Sequence, residues 1–230
     1  MRKIGIIGGL SWVSTADYYR RLNLLTQETL GGVASPRLAI ESVNRQAYVD
    51  AVIERGDEDA ACAIIRDAAV SLERAGADFI VISCNDVHRF VPEIAPSLAI
   101  PFLHIAEATA AEITRRGLGR VALLGVMKTM EGDFYPDVLG AHGIECLVPE
   151  PVERAYIHAT IYDELVKDIF RAETRAGYLE LIGKLCARGA EGIILGCTEI
   201  PLLVRDGDAD VPLFSTTEIH CKAAVERMLG

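Results

Sequence analysis

Four short runs in this chain are apolar on both faces, and they restrict its fold more than any other feature. They are "KIGIIG" (3–8), "DFIVIS" (78–83), "RVALLGV" (120–126) and "GIILG" (192–196). A strand that is apolar on both faces must be covered on both faces, which suits a parallel sheet flanked by helices. The segments between these runs carry the helical period. "EDAACAIIRDAAVSLERAG" (58–76) opens on acidic residues and closes on a glycine, as a helix does. Thr15 to about Leu30 is helical by pattern, with Ser14 as its expected N-cap and Asp17 three residues on. Further strands are expected at "RLAIESV" (37–43), "PFLHI" (101–105), "IECLVP" (144–149) and "PLFS" (212–215). Helices are expected up to Arg116, up to His142, near 152–170, near 174–188 and at the C-terminus. The alternation predicts an α/β protein with parallel sheets.

A repeat divides this alternation in two. "GADFIVISCNDVH" (76–88) and "GAEGIILGCTEIP" (189–201) share Gly-Ala-acid, an apolar run, then a cysteine and a polar residue. "IGIIGG" (4–9) echoes "VALLGV" (121–126), and "PFLHIAEATAAEI" (101–113) echoes "PLFSTTEIHCKAAV" (212–225). The three offsets are all close to half the chain and occur in the same order. They predict two similar parallel-sheet lobes related by a pseudo-twofold axis, with the active site in the cleft between them. The expected lobes are 1–98 plus 208–230, and 99–207.

Ligands of open parallel sheets bind beyond the C-terminal strand ends. Cys84 and Cys197 both lie there. Two thiols facing one small molecule from opposite sides can act as a base on one face of a carbon and an acid on the other, which is what a racemase needs. The remaining cysteines, Cys62, Cys146, Cys186 and Cys221, read as small buried hydrophobes. No Cys-x-x-Cys pair occurs, and the five histidines share no metal-like spacing, so no metal is expected. "GIIGG" lacks the spacing of a dinucleotide fingerprint or a P-loop; it reads as a tight turn that brings backbone N–H groups toward substrate. The net charge of −10 argues against nucleic acid and anionic membrane surfaces as partners. No stretch has the length of a membrane span, and no signal peptide is recognised, so a cytoplasmic location is expected.

In these residues the chain resembles the aspartate/glutamate racemase family over nearly its whole length. The matching stretches are "IGIIGGLSWVSTADYYRRLN", "SCNDVH", "VALLGVMKTMEGDFY", "EGIILGCTEIPLL" and "TTEIH". The resemblance implies racemisation of an amino acid without pyridoxal phosphate or any other cofactor, aspartate first and glutamate next, by a homodimer. It makes Cys84 and Cys197 the acid/base pair. It assigns substrate contacts to Leu10 and Ser11 of the first loop, Arg45, Asn85, Thr129, Lys167 and Thr198, with Arg45 gripping a side-chain carboxylate.

Asp86 stands where the family usually has threonine, and Ser215 where relatives often have aspartate. Asp86 adds negative charge beside the expected carboxylate site, and it is counted among the substrate-binding residues as a contact for the amino group. Read as a helix N-cap, it turns that charge toward backbone N–H groups, and Asp86→Thr is then expected to leave activity equal or higher. Two other functions fit the same residues. One is a cysteine-nucleophile isomerase or decarboxylase of the same fold. The other is a ligand-binding or thiol-redox-sensing protein in which the cysteines form a disulfide.

Overall fold

The computed structural model describes residues 1–230. They form two compact units, Met1–Ile105 with His220–Gly230, and Ala106–Ile219.

The first unit is built on a three-stranded parallel sheet. Its strands are β1 (Ile4–Gly8), β2 (Leu38–Ser42) and β3 (Phe79–Ile82), in the order β2-β1-β3. β1 and β3 are buried along their whole length, as their unbroken apolar runs require. Helix α1 (Trp12–Leu30) follows β1, and α3 (Glu58–Arg74) follows β2 and supplies Ala61, Ile65, Ala69 and Leu72 to the core on one face of the sheet. The N-cap of α1 is Ser11, three residues before the expected Ser14, and its hydroxyl accepts from the Ser14 N–H at 3.4 Å. Between β2 and α3 lies a stretch for which the sequence pattern gave no element: α2 (Arg45–Val49), capped by Asn44, continues into a π-turn, Asp50–Glu54.

The second unit is built on β4 (Arg120–Leu124), β5 (Glu145–Leu147), β6 (Ile193–Leu195) and β7 (Leu213–Ser215). They are all parallel, in the order β5-β4-β6-β7. Six helices lie in or begin in this unit after its first helix, α5 (Ile105–Arg115), which is preceded in the chain by α4 (Val91–Ile94). They are α6 (Met127–Glu131), α7 (Phe134–Ala141), α8 (Pro151–Asp163), α9 (Ala172–Ala187), α10 (Ile200–Leu203) and α11 (Thr216–Leu229), which ends within the first unit. Tyr178, Leu181 and Leu185 of α9 pack with Ala122, Leu124 and Ile193 of the sheet. No helix is long and apolar enough to cross a membrane.

The repeat read in the sequence is a repeat of topology. β1, β2 and β3 have the order of β4, β5 and β6, and the register Ile7 with Ile82 has its counterpart in Leu124 with Leu195. The exception is "PFLHI", expected as a strand to match β7. Only one parallel bridge forms there, Phe102 with Ile80. Pro101 cannot donate a ladder bond, and the pairing stops at Ile80 N–H to Pro101 O (3.0 Å) and Leu103 N–H to Ile80 O (2.8 Å).

Three imidazoles lie together in the first unit. The Tyr18 hydroxyl meets His220 Nδ1 at 2.9 Å, and His220 Nε2 meets the Leu103 carbonyl at 2.8 Å. A carbonyl only accepts, so His220 carries its proton on Nε2 and accepts from tyrosine on Nδ1. The His88 ring stacks edge-on against His104 and His220, at 4.6 and 5.5 Å. Burial, then His104 and His220, holds the His88 imidazole well below its usual range. Burial likewise pushes His220 down to about 4.

Candidate active site

Cys84 lies two residues beyond β3, and Cys197 two residues beyond β6, the corresponding strand of the other sheet. Both are half-buried free thiols.

At the first thiol, Ser83 fastens the strand end. Its hydroxyl donates to Ile7 O at 3.2 Å and lies 3.2 Å from the Thr15 hydroxyl, which accepts the Gly9 N–H at 3.0 Å. The glycine turn is therefore closed on Thr15, and its Gly9 N–H is not turned toward a ligand as the sequence suggested. Gly9 has φ +83°, and a Cβ there would stand 2.7 Å from Val43 N, so the turn needs glycine.

Beyond Ser83 the chain enters a 3₁₀ turn, Asp86–Phe90. Cys84 Sγ donates to Asp86 Oδ1 at 2.9 Å. Asp86 Oδ2 accepts from Arg89 Nη1 at 2.8 Å and, at 3.5 Å, from the Tyr48 hydroxyl of α2. Arg89 also donates to Glu58 Oε2 from Nη2 (2.8 Å) and Nε (3.2 Å), and to the Tyr48 oxygen at 3.2 Å. Burial, then the Asp86 charge, pushes the Tyr48 phenol well above its usual range, so it stays a donor. The N-cap reading of Asp86 is corrected here. Asn85 occupies the cap position, no side chain caps the turn, and the Asp86 carboxylate serves the thiol and a guanidinium.

A different result is accordingly expected for Asp86→Thr. Threonine is shorter and uncharged, and it cannot hold Cys84 and Arg89 together. Loss of a hydrogen bond to a charged, largely buried partner costs about 1–3 kcal/mol. A urea titration should show that loss, with activity reduced rather than equal or higher. An unchanged midpoint would mean that Arg89 does not need Asp86.

The second thiol has the same local partner. Cys197 Sγ donates to Glu199 Oε2 at 3.0 Å, and the Thr198 hydroxyl donates to the same oxygen at 2.6 Å. Glu199 is buried. Gly196 brings the backbone close to β4, with its N–H on Leu124 O at 2.7 Å, and a Cβ would stand 2.9 Å from that oxygen. Thr129 of α6 packs over Gly125 and Gly196. It is fully buried, and its hydroxyl has no hydrogen-bond partner. A buried hydroxyl without a partner is uncommon and suits a place that a ligand completes.

The other expected contacts divide by unit. In the first, Asn85 is buried beside Cys84, and Leu10 is buried in the core. Ser11 is engaged as the α1 cap. Arg45 is exposed at the first position of α2, three residues before Tyr48 and so on the same helix face. In the second unit Lys167 is exposed and lies 3.8 Å from Asp163. No three His, Cys, Asp or Glu side chains are grouped to hold a metal ion. The sequence reading passed over Arg89, Tyr48 and Glu58. Its missed signal is the shared spacing Cys-x-acid, Cys84 to Asp86 and Cys197 to Glu199.

Residues 7–224 match the family model described as Asp/Glu/Hydantoin racemase. The chain belongs to this family. A Yersinia pestis crystal structure described as a candidate Asp/Glu racemase is 40% identical, with a TM-score of 0.94 and 100% of each chain covered. An aspartate racemase homologue from Pyrococcus horikoshii OT3 is 34% identical, with a TM-score of 0.88 and again 100% of each chain covered. The broad-specificity amino-acid racemase of Bacillus subtilis is 26% identical over 237 residues, covering 99% of this chain and 98% of its own. Family membership gives the chain a reaction class, racemisation of an amino acid without a cofactor.

Proposed function

We propose that the protein racemises an acidic amino acid, aspartate before glutamate, with Cys84 and Cys197 acting on opposite faces of one α-carbon. The observation that carries this reading is the matched placement of two free thiols at equivalent strand ends of two like sheets, each hydrogen-bonded to a carboxylate two residues on. One thiolate removes the α-proton, and the other thiol returns a proton from the far side. Asn85, Thr129 and Thr198 are the candidates for the α-carboxylate. The unpartnered Thr129 hydroxyl supports this.

The preference for an acidic side chain rests on Arg45. It is exposed and unpaired one turn before Tyr48, whose hydroxyl reaches the Cys84 network. A guanidinium can grip a carboxylate with two charge-assisted hydrogen bonds. Removing one partner of such a pair costs about 2–5 kcal/mol where the bound substrate buries it. Arg45→Ala should therefore lower kcat/KM for aspartate about a hundredfold and leave alanine or homoserine turnover nearly unchanged. Equal losses on aspartate and alanine would remove Arg45 from substrate selection.

The reading is tested by offering single amino acids to the purified enzyme in deuterated water without added cofactor. Deuterium should enter the α-position of aspartate fastest. Exchange confined to neutral or basic amino acids would overturn the substrate assignment.

A further inference from the structure

A one-turn helix cannot stand on its own bonds, and α6 is such a helix. It is five residues long, Met127–Glu131, and Val126 at its cap position offers no side chain to its first N–H groups. Thr129 and Met130 reach back to Val126 O at 2.9 and 3.0 Å, and the Met127 N–H has no partner inside the helix. That partner comes from α8. His158 Nδ1 accepts the Met127 N–H at 3.1 Å. One turn earlier on α8, Arg154 meets the Glu131 carboxylate at 3.4 Å. The spacing matches, since 154 and 158 are as far apart on α8 as 127 and 131 are on α6, with the two helices running in opposite directions through the ties. α8 therefore holds α6 by both ends. Thr129 lies midway between them, its methyl group over Gly125 and Gly196 and its hydroxyl buried without a partner. All of these residues belong to the second unit.

A backbone N–H only donates, so His158 Nδ1 carries no proton and the ring N–H is on Nε2. Tyr162, one turn on, packs against the imidazole with ring centres 4.8 Å apart and planes at 57°, which fixes the ring's rotation. We infer that His158 is a positioning residue for the substrate carboxylate: by taking the Met127 N–H it fixes the turn that carries Thr129. This role rests on the racemase reading, in which Thr129 meets that carboxylate. Thr129 lies against Gly196, the residue before Cys197. A turn released at Met127 therefore displaces a hydroxyl donor beside the second thiol without breaking the thiol's own bond to Glu199. The α-carboxylate is common to both enantiomers and is held in ground state and transition state alike. Loss of the tie raises KM for both enantiomers and leaves kcat nearly as it was. A residue that only supported the fold would lower the amount of active enzyme instead, with KM unchanged.

The first measurement needs no substrate. Amide hydrogen exchange of the full-length protein, read by mass spectrometry over residues 125–131, should be about tenfold faster in His158→Ala than in wild type. Exchange over β4 and β6 should not change. His158→Asn places its Oδ1 where Nδ1 stands and should restore most of the protection. His158→Leu, which fills the ring's space without an acceptor, replaces the alanine variant if that one does not fold. In steady-state assays on both enantiomers of the preferred amino acid, His158→Ala should raise KM about tenfold, and His158→Asn should recover most of that loss. On a Thr129→Val background the same His158→Ala change should cost less than about twofold, since no hydroxyl is left to place. Wild-type exchange over 125–131 in His158→Ala would overturn the inference. So would an equal rise in KM on both backgrounds, or a loss of kcat at constant KM. A wild-type protein that racemises no amino acid but shows the expected exchange would sink the racemase reading and leave the clamp on α6 standing.

Discussion

Cys84→Ala and Cys197→Ala should each reduce net racemisation by at least about a thousandfold, the upper part of the range for a positioned acid or base. Each turnover needs both faces of the α-carbon, so neither thiol can replace the other. The two variants should nevertheless differ from a dead enzyme. Each retains one thiol, which can remove an α-proton and return it on the same side. Deuterium exchange should therefore persist for one enantiomer in Cys84→Ala and for the opposite enantiomer in Cys197→Ala. Chiral chromatography after incubation in deuterated water reads both quantities at once. Wild-type racemisation by either variant would exclude a two-thiol mechanism. A stable thioether or thioester adduct on one cysteine would favour the nucleophilic isomerase alternative.

The second large effect concerns acid. His220 is held neutral by burial, with a pKa pushed down to about 4, against an ordinary imidazole value of 6.5. The unfolded chain binds a proton between those two values and the folded chain does not, so stability falls as pH drops through that window. It is fully present above pH 6.5 and is lost progressively toward pH 4. Between pH 7.5 and pH 5, His220 alone accounts for about 2 kcal/mol. His88, held well below its usual range by burial, then by His104 and His220, acts in the same direction. Urea midpoints at the two pH values should show this loss before most carboxylates titrate. His220→Gln should flatten the dependence even if it lowers stability at pH 7.5. A wild-type midpoint unchanged between pH 7.5 and pH 5 would show that the imidazoles can charge within the fold.

Much of this architecture could be read from single residues. The buried strands announced themselves because β1, β3, β4 and β6 have no polar face to hide. The paired cysteines were visible because their motifs recur at matching strand ends. "PFLHI" misled because its hydrophobic residues pack against the core as Phe102 does, while Pro101 withholds the ladder bond a strand needs. Ser14 misled because Ser11 offers the same hydroxyl one turn earlier, and it is Ser11 that has the extended backbone of a cap. The surroundings of Cys84 were legible only in the Cys-x-acid spacing that places Asp86. They bring together Tyr48, Glu58, Asp86 and Arg89 from three separate elements, and pattern along the chain does not show which side chains meet. Asp86 looked like a local cap or an obstacle to substrate until its two oxygens were placed, one on the thiol and one on the guanidinium.

The central claim is that two cysteines handle the two faces of one substrate carbon. It is tested most directly by the early time course of the wild-type enzyme with a single aspartate enantiomer in deuterated water. With a separate thiol on each face, the inverted product should carry one α-deuterium from its first appearance, while the remaining substrate stays unlabelled. Deuterium entering the remaining substrate as fast as the product forms would mean that one base serves both faces, and the two-cysteine account would fail.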